Sequence, residues 1–438
     1  MLDIALIREN PTKVQEALLK RMDGVDFSQL LAWDSERRAI QTELEGKRSR
    51  RNEVSAEIPK LKKAGEDVQG LFSEMKALGE EIKGLEARHQ ERQEQVDAFM
   101  HRLPNLPDAD VVAGGKEHNR VLDTWGQKPS FDFEPKDHVE LLESLGMVDF
   151  ERGVKLGGRG FWIYRGMGAR LEWALLNFFV SRHLEAGFEF MLPPHILLPQ
   201  CGFTAGQFPK FDEDVFYLES EAEKERHFLL PTAETALVNL HRDEILSEAE
   251  LPRKYFGYTP CYRKEAGSYR TQERGTVRGH QFNKVELFFY TRPEDSDVAL
   301  EELLAHAQGL VRSLGLHHQV SQLAAGDCSP GMAKTLDIEV WIPSMGEYKE
   351  VSSASNARDY QARRGKMRFR REGQKKNELL HTLNASGLAT SRLVPAIVEQ
   401  FQRADGSVAV PEPLQQAMGT DVLTPVALAA AKKPATKK

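Results

Sequence analysis

Arg263, Glu265, Glu286 and Arg392 are the residues of this chain whose types and spacing most clearly suit chemistry. The first three lie in TPCYRKEAGSYRTQERGTVRGHQFNKVELF (Thr259–Phe288), the last in HTLNASGLATSRLVPAIVEQ (His381–Gln400). Each segment sets an arginine on a predicted strand or near a predicted helix start. A guanidinium fixed on a rigid element suits a polyphosphate, because its planar fork matches phosphate oxygens in pairs. Glu265 follows Arg263 by two residues, so on one strand the two share a face. No GxxxxGK[ST] run and no strand–GxGxxG–helix run is present, which argues against a P-loop or Rossmann nucleotide site. No Ser–His–Asp or Cys–His pattern asks for a side-chain nucleophile.

The elements that must position these groups follow from periodicity. Asn10 before Pro11 predicts a short helix start. From Trp33 to Leu61, and again from Val68 to Leu103, apolar residues recur at alternating three- and four-residue steps. That is a coiled-coil seam, broken at Lys62–Asp67 around Gly65, so two arms of similar length are expected to fold back antiparallel over about 42 Å. Seam positions Arg37, Lys47, Arg51, His89 and Arg92 are not apolar, which gives either snorkelling stems or a flexible basic rod. LPNLPDADVVAGG (Leu103–Gly115) marks a boundary. Beyond Phe131, GARLEWALLNFFVSRHLEAGFEF and RPEDSDVALEELLAHAQGLVRSLG predict helices, while KVELFFY and TLDIEVWI predict strands. The expected fold is α+β: an N-terminal helical hairpin, then an antiparallel sheet flanked by helices. The expected division is 1–103 for the hairpin domain, 104–130 for a linker, 131–420 for the catalytic domain and 421–438 for a disordered basic tail. After Pro411 the chain turns Ala-, Lys- and Pro-rich, which is the composition of such a tail.

The 438 residues carry 59 basic and 66 acidic side chains, a net −7. Lys47–Lys63 holds +5, Tyr360–Lys376 +7 and Lys432–Lys438 +4, leaving −23 elsewhere. An acidic body with local basic patches suits a polyanion met at chosen places, although any single patch also reads as a solvated face. No run of 18 apolar residues predicts a membrane span, and the N-terminus lacks a secretory pattern. Three scattered cysteines argue for a reducing, cytoplasmic setting and against a zinc site.

Taken together, the hairpin, the linker PNLP (Pro104–Pro107) and three further segments resemble a bacterial seryl-tRNA synthetase of class II along nearly the whole chain. Motif 1 resembles Gly168–Pro194, motif 2 Cys261–Glu286 and motif 3 Leu383–Arg392. The resemblance implies ATP bound in a bent form, Mg²⁺, a homodimer built on motif 1, and two steps: L-serine and ATP give seryl-adenylate, then the seryl group passes to the 3′ end of tRNA(Ser), with tRNA(Sec) as a further acceptor. It implies that Arg263 bridges the α-phosphate and the serine carboxylate, and that Arg392 holds the outer phosphates. Glu265 would meet the adenine amino group and Phe282 would stack on the ring. Lys264, Arg274, Val351 and Ser352 complete the ATP segments. Glu350 and Ser353 would bind Mg²⁺. Thr232, Ala233, Glu234, Glu286, Asn384 and Ser386 match the serine site. Arg48, Arg50, Arg51, Lys60, Lys62 and Lys63 would grip the long variable arm of the tRNA through phosphates. The stretch Arg363–Arg371 is either a contact for the acceptor end or a charged surface loop.

Glu350 and Ser353 are three residues apart, so a regular strand would point them to opposite faces, and the backbone must bend between them. Ala324–Thr335 and Ser391 depart from the family pattern. Pro395 is tolerable if the motif 3 helix starts late enough that the missing N–H is one of the unpaired first-turn donors. A specialised paralogue that hands serine to biosynthesis or resistance is the alternative. Ending the chain after Gly419 is expected to leave tRNA charging unchanged.

Overall fold

The computed structural model describes residues 1–219, 226–265 and 275–426. Two compact units are present, Leu2–Pro104 and the remainder from Asn105 together with Met1.

In the first unit, Asn10 caps the helix Pro11–Leu18 by accepting from the Lys13 N–H at 3.0 Å, and Pro11 occupies the first turn. Two long helices follow, α1 (Ser28–Ala64) and α2 (Gln69–Arg102). Gly65 ends α1 in the left-handed region at φ 80°, where a side chain would be strained. Ile40, Leu44, Ile82 and Leu85 form a buried cluster between the helices. The polar seam positions make cross-helix pairs: Lys47 with Glu81 at 2.5 Å and Arg92 with Glu36 at 2.7 Å. The seam is apolar at this cluster and ionic on either side of it.

The second unit is built on an eight-stranded sheet. Its strands are β1 (Arg120–Trp125), β2 (Glu189–Met191), β3 (Arg253–Tyr262), β4 (Gln281–Thr291), β5 (His318–Gln322), β6 (Lys334–Ile342), β7 (Glu347–Arg358) and β8 (His381–Ala389). The spatial order is β1-β5-β6-β7-β8-β4-β3-β2, antiparallel throughout except for the edge pair β2–β3. One face is covered by α3 (Met167–Glu185), α4 (Ser296–Ser313) and α5 (Thr390–Gln400), which share a core with Leu287, Ile338, Leu383 and Ala385. These helices and the apolar faces of β4, β6 and β8 bury one another, which leaves the opposite face for polar chemistry.

Two expectations are corrected. Residues after Pro411 are not a plain tail: Glu412–Met418 is a helix, and Val422–Leu423 pairs with Val408–Ala409. Leu423 is only 3% exposed. The basic segment 427–438 lies outside the described residues. Ending the chain after Gly419 therefore removes a paired strand and a buried leucine, and the expected outcome is a stability loss of about 2–3 kcal/mol. A chain ended after Val426 should keep the midpoint of the intact protein in thermal denaturation. Equal midpoints for the two truncations would contradict the assignment.

Pro395 lies well inside α5 rather than in its first turn. The carbonyl it leaves without a helical donor is that of Ser391. The Thr276 hydroxyl donates to that carbonyl at 3.2 Å. A residue of the motif 2 segment thus serves the proline of motif 3.

Candidate active site

The polar face of the sheet carries a cavity of about 290 Å³, lined among others by Thr232, Glu234, Arg263, Lys284, Glu286, Glu350, Ser353, Asn384 and Ser386. A smaller one of about 70 Å³ is lined by Arg263, Glu265, Phe282, Lys284, Glu350, Val351, Ser386 and Arg392. Arg263, Lys284, Glu350 and Ser386 line both, so the two cavities are halves of one site.

Strand geometry explains the convergence. Phe282, Lys284 and Glu286 alternate along β4 and reach one face. Glu286 pairs in register with Ser386 on β8, and Asn384 lies one step further along. Glu286 is 1% exposed and its charge is compensated three times. Lys284 Nζ lies 2.5 Å from it, Asn384 Nδ2 donates at 2.9 Å, and the Thr232 hydroxyl donates at 3.3 Å. Glu234 faces the same pocket, accepting from Gln361 at 2.9 Å and from Asn384 at 3.4 Å. Burial first, then the charge of Glu286, push the Glu234 carboxyl up to about 7. Two carboxylates at the end of a small polar pocket suit an ammonium group with a hydroxyl beside it.

The second half is made of arginines and one bent strand. Arg263 lies just past the end of β3, where its N–H still donates to the His280 carbonyl at 3.0 Å. Its Nε donates to the Pro231 carbonyl at 3.2 Å, and its guanidinium lies 5.2 Å from the Phe282 ring centroid. Glu265 is not on the strand. It has φ +52° and pairs with Arg278 at 2.6 Å, so it reaches the smaller cavity from a turn rather than by strand alternation. Arg392, in the first turn of α5, donates to the Glu350 carbonyl at 2.8 Å and pairs with its carboxylate at 3.4 Å. Between Glu350 and Ser353 the register of β6 and β7 shifts, with Ile338 opposite Ser352 and Glu339 opposite Glu350. Val351 is the extra residue, and this bulge is the bend that brings both oxygen-bearing side chains to the same cavity.

Some expected residues stand elsewhere. The Ala233 side chain is in the core. Ser352 is buried and donates to the Ser386 carbonyl at 2.6 Å. Lys264 gives its N–H to the Asp214 carbonyl and lines neither cavity. Arg274 lies outside the described residues. In the stretch Arg363–Arg371, Arg364 is buried against the Phe203 and Phe208 carbonyls, and Arg371 is held by Glu294 and Glu378. Those two arginines are structural.

Three residues were missed. Lys284 sits two positions from both Phe282 and Glu286, so the period of a strand was a sufficient signal. Asp337 interrupts the apolar strand TLDIEVWI and accepts from the Ser353 hydroxyl at 2.6 Å. Burial, then the charge of Glu350, hold its carboxyl well above the usual range. Gln361 carried no signal in the sequence.

A largely antiparallel sheet flanked by helices, with arginines at the end of one strand and the start of one helix, fits the class II aminoacyl-tRNA synthetase that the resemblance implied. The family described as "tRNA synthetase class II core domain (G, H, P, S and T)" matches residues 216–401. The one described as "Seryl-tRNA synthetase N-terminal domain" matches residues 1–107. Serine–tRNA ligase 2 of Clostridium acetobutylicum is 60% identical over 97% of this chain and 100% of its own. Serine–tRNA ligase of Thermodesulfovibrio yellowstonii is 47% identical over 97% and 100%. The crystal structure of seryl-tRNA synthetase from Pyrococcus horikoshii complexed with ATP aligns with TM-score 0.90 and 35% identity, covering 97% of this chain and 100% of that one. The chain belongs to the seryl-tRNA synthetase family.

Proposed function

We propose that the two halves of the site divide the work of an ATP-dependent serine–tRNA ligase. The larger half binds serine and the smaller binds ATP, and Arg263 is their common wall. The observation that carries this reading is that Arg263 lines both cavities, one ending in Glu234 and Glu286, the other in Glu265, Phe282 and Arg392.

In the first step the serine carboxylate attacks the α-phosphorus of ATP and pyrophosphate leaves. Two anions meet, so positive charge must face the developing transition state. Arg263 supplies it with a fork that spans carboxylate and phosphate. Arg392 holds the outer phosphates in the bend, Phe282 packs on the purine, and Glu265 accepts from its amino group. Glu286 and Glu234 take the serine ammonium and hydroxyl, and Thr232, Asn384 and Ser386 close the pocket. A pocket built to pair a hydroxyl disfavours alanine, whose methyl leaves those partners unsatisfied. Glu350 and Ser353 fit Mg²⁺, because a carboxylate and a hydroxyl on one cavity wall suit a hard cation that takes its remaining ligands from phosphate and water. When bound, the ion supplies charge neutralisation. In the second step a ribose hydroxyl of the tRNA attacks the adenylate carbonyl and loses its proton, the bond from that carbonyl to the phosphate oxygen breaks, and AMP leaves.

The helical hairpin is the grip for tRNA(Ser). Arg51, Lys60 and Lys63 make no ion pair with the described residues, which leaves them available to phosphates, whereas Arg48 and Arg50 are paired with Glu86 and Glu74. A homodimer is supported by the exposed Trp173 on α3 and the exposed Leu192 just after β2. Among the described residues no helix is long and apolar enough to cross a membrane, and the three free cysteines support a cytoplasmic setting.

Amino-acid-dependent exchange of pyrophosphate with ATP, followed by tRNA charging, tests the reading. Exchange with serine alone and then charging is expected. Exchange without charging would favour the biosynthetic paralogue. The pocket also predicts a pH dependence. Below about pH 7 Glu234 is protonated, and above it the site gains a second negative charge for the ammonium. The KM for serine should therefore fall as pH rises through about 7, and Glu234→Gln should flatten the profile. An identical profile in the variant would remove Glu234 from this role.

A further inference from the structure

Behind the wall formed by Phe282 lies a cavity of about 130 Å³, bounded by Phe161, Trp162, Tyr164, Glu172 and Thr390. Glu172 comes from α3, is 4% exposed and belongs to none of the groups assigned to substrate. Its Oε1 accepts two hydrogen bonds, from the Thr390 hydroxyl at 2.5 Å and from Asn283 Nδ2 at 2.8 Å.

Those two donors occupy equivalent places. Asn283 lies between Phe282 and Lys284, both of which line the smaller cavity. Thr390 lies between Ala389 and Ser391, which also line it, and two residues before Arg392. On a strand, neighbours of a residue point the other way. Asn283 therefore turns its back on the purine face while its neighbours look into it. Its remaining amide oxygen accepts from the Tyr258 hydroxyl at 3.1 Å, so both ends of that side chain are fixed. Thr390 is the first residue of α5, and its hydroxyl oxygen also lies 3.2 Å from the Asn283 carbonyl, the longer of two places its single hydrogen can go. One carboxylate thus ties the start of the Arg392 helix to the strand that carries Phe282 and Lys284.

We propose that Glu172 is a positioning residue for the ATP half of the site: it sets the distance between Arg392 and Phe282. This rests on the reading that ATP occupies that half. Of the residues that flank the two donors to Glu172, Phe282, Ala389 and Ser391 line the smaller cavity only and Lys284 lines both, so its loss should raise the KM for ATP more than that for serine. Geometry of this kind is sensitive, since displacement of an anchoring group by about 1 Å costs on the order of a hundredfold in rate.

The test is serine-dependent pyrophosphate exchange by the full chain, with kcat and KM taken for ATP and for serine separately. Glu172→Ala is expected to lower kcat/KM for ATP by about ten- to a hundredfold, with the KM for serine within about twofold. Thr390→Val removes one donor and leaves the carboxylate in place, and should cost about fivefold for ATP alone. Glu172→Gln keeps an oxygen that can accept from both donors, and should recover most of the activity. A purely structural role would lower the denaturation midpoint while leaving the constants of the folded fraction unchanged, and that result would overturn the proposal. An equal rise in the KM for ATP and the KM for serine would overturn it too. Absence of serine-dependent exchange in the unaltered protein would instead sink the nucleotide reading on which it rests.

Discussion

Arg263→Ala should abolish serine-dependent pyrophosphate exchange, with a loss of at least about a thousandfold in kcat/KM. Among the described residues no other cationic side chain does the same work. Lys284 lines both cavities, but it is held against Glu286 at 2.5 Å. Arg392 lines only the smaller cavity and is turned towards Glu350. Arg278 is paired with Glu265. On the proposed assignment, removal of Arg263 would leave the serine carboxylate and the α-phosphate facing each other without a bridging cation. Arg263→Lys restores a positive charge without the planar fork, and should recover only a small part of the rate. Exchange is measured by label transfer from pyrophosphate into ATP. Near-normal exchange in the alanine variant would strip Arg263 of its assigned place.

Deletion of Leu44–Leu85 should separate the two half-reactions. Serine activation should persist within about twofold, because every residue assigned to it lies beyond Asn105, in the other compact unit. Charging of tRNA should fall by about a hundredfold or more, since several cations proposed to meet phosphates go together, each carrying part of the counterion-release affinity. A gentler variant, in which Arg51, Lys60 and Lys63 become glutamine, should weaken tRNA binding. The slope of log affinity against log salt should flatten by roughly 0.7–0.9 for each phosphate left without its cation. Arg48 and Arg50 should matter less, as their exposed pairing with Glu86 and Glu74 must first be released. Charging at the normal rate by the shortened chain would show that the hairpin is not the grip.

How far these residues could be read from the sequence depended on how local their causes were. The hairpin was legible because a heptad seam repeats the same cue many times, and Gly65 marks its turn. Phe282 and Glu286 came from the resemblance of the motif 2 segment, and the strand Gln281–Thr291 puts both on one face. Glu265 was misplaced because the strand of motif 2 ends at Tyr262, and the turn that follows is set by contacts with Asp214 and Arg278 rather than by local preference. The bend at Val351 followed from the demand that Glu350 and Ser353 meet, although which residue would be extra did not. Pro395 was misjudged because the donor that offsets it, Thr276, lies 115 positions before the Ser391 carbonyl it serves. Gln361 and Asp337 enter the site through pairing partners on distant segments, which no local window contains. The ordered residues after Pro411 were hidden by the composition of the segment beyond them.

The charged groups of the site already hold one another: Arg392 with Glu350, Lys284 with Glu286, Arg278 with Glu265. An arriving substrate must therefore compete with partners inside the protein. Inorganic phosphate, chloride and free carboxylates meet the same competition, yet each can displace only one pair. On the proposed assignment, ATP and serine together would address the arginines and the carboxylates at once. A protein that works in a medium crowded with small anions would gain from this a resistance to fouling.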